Sequence, residues 1–84
     1  MKGIWLNMKI YGLTDNLDIS VGMRLAGMHV EVLNENDDAN KIIEEISNNK
    51  DVGILVISKN INNLAQTTIE NIKQNKKTPL IVTI

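Results

Sequence analysis

Cysteine and phenylalanine are absent from this chain, and histidine, proline, tryptophan and tyrosine each occur once. Without cysteine there is no disulfide framework, no thiol nucleophile and no thiolate metal site, and His29 alone cannot assemble a histidine-based one. A surplus of one charge is also lacking, since nine basic residues stand against ten acidic ones. The lysines are scattered rather than striped, so nothing draws a polyphosphate, and nucleic acid is not an expected partner. The longest apolar run, Ile54 to Ile57, falls far short of the ~20 residues that span a bilayer, and no signal-peptide pattern opens the chain. The expectation is a soluble, cytoplasmic protein.

What is abundant is the aliphatic class, with 13 Ile, 8 Leu and 6 Val among 84 residues. That is too many for a disordered tail, and the length suits one small domain burying about 60% of its unfolded surface. Short β-branched runs alternate with segments whose apolar residues recur at helical spacing, which reads as a βαβ chain. The first strand is expected over Met8–Leu13, followed by the turn residues Thr14, Asp15 and Asn16. Leu17, Val21, Leu25 and Met28 then recur every three or four residues, marking the buried stripe of a short helix that starts near Asp18 and stops at Gly27. His29–Leu33 alternates with period two, as an edge strand does. A second helix is expected behind Asn36 as cap, burying Ala39, Ile42, Ile43 and Ile46 and fraying through Ser47–Asn49. Val52–Ile57 is continuously apolar, as a central parallel strand should be. Asn60 is the expected cap of a third helix that buries Ile61, Leu64, Ala65, Thr68, Ile69 and Ile72, with Lys73, Lys76 and Lys77 near its C-terminal end. Pro79 ends helix, and Leu80–Ile84 forms the fourth strand.

Right-handed crossovers then predict an α/β fold of three layers: a four-stranded parallel sheet in the order 2-1-3-4 with three helices, receiver-like or flavodoxin-like. The single domain covers 8–84, and Met1–Asn7 is an extra segment outside the pattern. The switch point of this sheet holds Asp15, Ser58 and Lys59. A phosphoryl-accepting receiver needs a carboxylate at the end of strand 3, where Ser58 stands, and a lysine after a later strand, whereas Lys77 precedes one. Gly22 and Gly27 match neither a phosphate loop nor a dinucleotide loop. Gly27 reads as a helix C-terminal residue and Gly22 as a close backbone approach. His29 reads as solvated or capping, and Glu44 and Glu45 as surface charges. No catalytic constellation, metal site or cofactor is expected.

Lys9–Asn16, Gly22-Met-Arg-Leu-Ala-Gly27, Asp51–Ser58 and Thr78–Val82, taken in order, resemble the F subunit of the V/A-type (archaeal-type) ATP synthase as found in anaerobic bacteria. The resemblance runs from about Met8 to Ile84, and the Gly-x-Arg-Leu-Ala-Gly segment is its most specific piece. It implies a non-catalytic component of the rotating central stalk, docked on the coiled coil of the D subunit inside the catalytic hexamer and meeting the membrane only through the complex, at its inner face. Energy coupling between ATP chemistry and ion transport would pass through it mechanically. Family members usually carry an extra residue or so around Met28–Val32 and continue into a C-terminal helix, so the chain reads as stopping before that helix. The alternative function is a degenerate receiver or small-ligand sensor using Asp15 and Ser58.

A partner surface is expected on the sheet face that carries only the first helix, with strands 3 and 4 partly open there, and on the solvent side of that helix. Met23 lies about 200° around the helix from Val21 and so should point outward beside Arg24, and Met23, Arg24 and Met28 are the expected partner-binding residues. The competing reading has Met23 capping the local core and Arg24 pairing with Asp15 or Asp18.

Overall fold

The computed structural model describes residues 9–75 and 79–84. The expected extra segment Met1–Asn7, the strand start at Met8, and Lys76, Lys77 and Thr78 lie outside these. Four strands, β1 (Lys9–Thr14), β2 (His29–Val32), β3 (Val52–Ile57) and β4 (Leu80–Thr83), form one sheet. Every pairing is parallel and the order is β2-β1-β3-β4, as the handedness rule predicts. The register sets Gly12 beside Val30 and Val56, and Val56 beside Val82. Because side chains alternate across a pleated strand, Ile10, Gly12, Ile54, Val56, Leu80 and Val82 share one face, and Tyr11, Leu13, Leu55, Ile57 and Ile81 share the other.

The second of these faces holds the core. Leu13, Leu55, Ile57 and Ile81 are buried there with Ile43 and Ile46 from α2 (Ala39–Ser47), Ile61 from α3 (Lys59–Leu64), and Ile69 and Ile72 from α4 (Gln66–Asn75). Among the described residues, the other face carries only α1 (Leu17–Leu25), which packs over β2 and β1. Beyond its shadow Leu80, Val82 and Ile10 stay exposed, while Val56 is buried. The expected opening of strands 3 and 4 on that face therefore occurs along β4 and, in β3, at the half-buried Ile54 but not at Val56, and it extends to the start of β1. No helix among the described residues is long and apolar enough to cross a membrane.

Several local expectations are corrected. Among the described residues there are four helices, because the expected third one breaks at Ala65, whose backbone leaves the helical region (φ −126°, ψ 32°). Ala65 is buried while Leu64, expected inside, is carried out to solvent. The cap of α2 is Asp38 instead of Asn36, its side chain accepting from the Asn40 and Lys41 N–H groups, while Asp37 accepts from the Asn34 N–H at 2.8 Å and closes the preceding turn. Ser58, rather than Asn60, precedes the first turn of α3. Gly22 faces open space; the close approach is at Gly12, where an added Cβ would fall 2.5 Å from Met23 Sδ. Gly27, at φ +90°, does terminate α1 in the left-handed conformation that glycine tolerates.

Candidate functional site: the outer face of α1 and the cleft beside it

Asn16 starts α1, its side-chain oxygen accepting from the N–H groups of Asp18 and Ile19. The helix then turns its expected apolar stripe the wrong way round. Leu17, Val21 and Leu25 are 71%, 53% and 85% exposed, whereas Met23 is 4% exposed. Met23 therefore does not point outward, which corrects the expectation for that residue. The reason is the strand below. Gly12 leaves a hollow in β1, and the unbranched thioether of Met23 fills it, as methionine does with irregular gaps. Ser20 accompanies it inward, with its Oγ donating to the Leu17 carbonyl at 2.6 Å. A helix resting on a glycine strand needs one long flexible side chain and a small neighbour; three branched aliphatics would hold it too far off.

Leu17, Val21 and Leu25 lie at i, i+4 and i+8, which stacks them as an apolar stripe on the solvent side of the helix. Arg24 is exposed in the last turn of α1. Met28 is half-buried just beyond it, its N–H donating to the Met23 carbonyl at 3.1 Å.

At the carboxyl ends of β1 and β2 opens a cleft of about 780 Å³. It is walled by Leu17 at the start of α1, the 34–38 loop, the first turn of α2, and Asn60 and Leu64 of α3. Asp15 joins this wall, its carboxylate accepting from the Asn60 side-chain amide. Ser58 lies at the end of β3, tied through its N–H to the Leu13 carbonyl at 3.3 Å; its hydroxyl is buried without a hydrogen-bond partner among the described residues. Lys59 is exposed at the start of α3. The fold thus brings Asp15 and Asn60 together and leaves Ser58 sealed off from the cleft lining. His29 is exposed and stacks on Tyr11 with ring centroids 5.4 Å apart, a surface contact between neighbouring strands.

Gly12, Glu35, Asp37, Asp38 and Leu64 belong to the site without being expected there from the sequence. Gly12 carries a signal, because a glycine inside a strand often marks a close neighbour. Glu35, Asp37 and Asp38 sit at a turn, where no periodicity operates, and Leu64, which helical spacing placed inside, is exposed at the end of α3 where the helix breaks.

A family model described as ATP synthase (F/14-kDa) subunit matches residues 10–84. The chain is 34% identical over 64 residues to the A-type ATP synthase F subunit of Methanococcus vannielii, and 31% identical over 64 residues to that of Methanococcus maripaludis. Each match takes in 75% of this chain and 65% of the relative, so the chain spans slightly under two thirds of these relatives' length. The crystal structure of the V-type ATP synthase F subunit from Archaeoglobus fulgidus superposes with a TM-score of 0.75 at 18% identity, over 93% of this chain and 98% of that one. This last likeness establishes the fold.

Proposed function

The chain belongs to the ATP synthase (F/14-kDa) subunit family, and from that membership we propose that it is the non-catalytic F subunit of a V/A-type ATP synthase. In this reading it rides on the rotating central stalk, bound to the coiled coil of the D subunit, and helps to couple ATP synthesis or hydrolysis mechanically to ion translocation. It meets the cytoplasmic face of the membrane only through the complex. The observation that carries the reading is the solvent-facing stripe of Leu17, Val21 and Leu25 on α1. Large aliphatic side chains aligned on consecutive turns match the ridges of a partner helix, and contiguous exposed apolar patches mark interaction surfaces. The partner-binding residues are then Leu17, Val21 and Leu25 with Arg24 and Met28 at their flank, and Met23 acts from beneath by seating the helix.

A phosphoryl-accepting sensor is the weaker reading. Ser58 stands where that chemistry would want an acceptor carboxylate, and the Asp15 carboxylate takes a hydrogen bond from Asn60.

The test is titration of the whole chain into its cognate coiled-coil D subunit. Val21→Asp should weaken binding about tenfold or more while leaving the circular dichroism spectrum unchanged, as for a disrupted central contact. Met23→Ala should lower the melting temperature and leave the affinity of the folded protein nearly intact. Tight binding by Val21→Asp would overturn the assignment of this face.

A further inference from the structure

We infer that the cleft at the carboxyl ends of β1 and β2 continues the α1 stripe as one docking surface, and that its occupant is a lysine or arginine carried by the partner helix about one turn beyond the residues that meet Leu17, Val21 and Leu25. The inference rests on the coiled-coil reading above and adds the chemistry and polarity of the partner. Leu17 belongs to both regions, being the first residue of the stripe and part of the cleft wall. Across the opening stands Leu64, also largely exposed. Between them the wall carries four of the ten acidic residues of the chain, Asp15, Glu35, Asp37 and Asp38, and no lysine, arginine or histidine among the described residues.

Three of these carboxylates are oriented by the protein itself. Asp15 accepts from the Asn60 amide, Asp37 from the Asn34 N–H at 2.8 Å, and Asp38 from the Asn40 and Lys41 N–H groups at 3.1 and 3.4 Å. Oriented carboxylates with no cation among them create a negative potential that a low-dielectric rim intensifies. A bare metal ion is not the match. Among the described residues no three histidine, cysteine or acidic side chains converge closely enough to hold one. Dispersed acceptors behind two leucines suit a long side chain whose aliphatic stem packs on the rim while its charged head reaches inward, as lysine and arginine do. The amphipathic partner is thereby oriented, since its basic end must lie over the start of α1.

The decisive experiment titrates the cognate coiled-coil protein into the intact chain at low and high salt. The double variant Glu35→Gln/Asp37→Asn removes two charges, while the amide introduced at position 37 keeps an oxygen for the Asn34 N–H. Its affinity should fall about fivefold at low salt, and the salt dependence should flatten. Glu44→Gln/Glu45→Gln, on the exposed face of α2, should change neither. If the double variant melts early, Glu35→Gln alone, in the exposed 34–38 loop, carries the test with a smaller loss in the same direction. Unchanged affinity and salt slope in the cleft variants, with Val21→Asp still weakened, would overturn this inference and leave the coiled-coil reading standing. Absence of binding by the wild-type chain, or full binding by Val21→Asp, would overturn both.

Discussion

Two residues decide how α1 sits on the sheet. Burying Met23 contributes roughly 1.5–3 kcal/mol, and the contact exists because position 12 has no Cβ. We expect Met23→Ala to cost about 2 kcal/mol and Gly12→Ala about 1–2 kcal/mol, the second through crowding of the thioether. In the double variant the two costs should be less than additive, because alanine at 23 frees the space that a Cβ at 12 requires. Chemical denaturation of the four proteins measures the coupling, and strict additivity would show that Met23 does not press on Gly12. Ser58 behaves differently. Its hydroxyl is buried and unpartnered among the described residues, so Ser58→Ala removes a desolvated polar atom and should be neutral or stabilising by up to about 1 kcal/mol. A loss above about 1 kcal/mol would reveal a hydrogen bond to that hydroxyl.

At the level of elements, the ends of α1 are set by local chemistry and its interior is not fully optimised. Gly22 lies within the helix with nothing near its missing side chain, whereas Gly27 sits at φ +90° just past its end. Gly22→Ala should therefore stabilise by about 0.5–1 kcal/mol through helix propensity and a less flexible unfolded chain. Gly27→Ala should cost about 1 kcal/mol, since an alanine must adopt a left-handed conformation there. Melting curves should move in opposite directions, by several degrees for a domain of this size. The same local logic explains why Asp38 rather than Asn36 caps α2. Asp37 is committed to the Asn34 N–H, and the turn it closes delays the helix until Asp38 can reach two free N–H groups.

Over the whole molecule, the sheet is covered unevenly. Among the described residues, three helices seal one face, and one helix shades β1 and β2 on the other, leaving Ile10, Leu80 and Val82 exposed. Exposed aliphatics on and beside an edge strand invite association. Leu80→Lys should accordingly reduce binding of a hydrophobic dye and self-association in sedimentation, with a change in stability below about 1 kcal/mol. A loss of 2 kcal/mol or more would mean that Leu80 is packed in the folded protein.

The strands, their order, the edge position of β2 and the buried set Ala39, Ile43, Ile46, Ile61, Ala65, Ile69 and Ile72 are legible in the sequence. Periodicity reports burial faithfully where an element meets a broad apolar surface, as α2 and α4 do. It misleads at α1. There the spacing of Leu17, Val21 and Leu25 identifies an apolar stripe and places it on the wrong side, because amphipathicity names a face without saying what that face touches. Only the register decides it, by setting Gly12 under the helix so that Met23 and Ser20 fit and branched aliphatics do not. The break at Ala65 and the gathering of Asp15, Glu35, Asp37 and Asp38 around one cleft are likewise tertiary. They join residues from separate loops whose spacing along the chain carries no repeat, so no local pattern announces them.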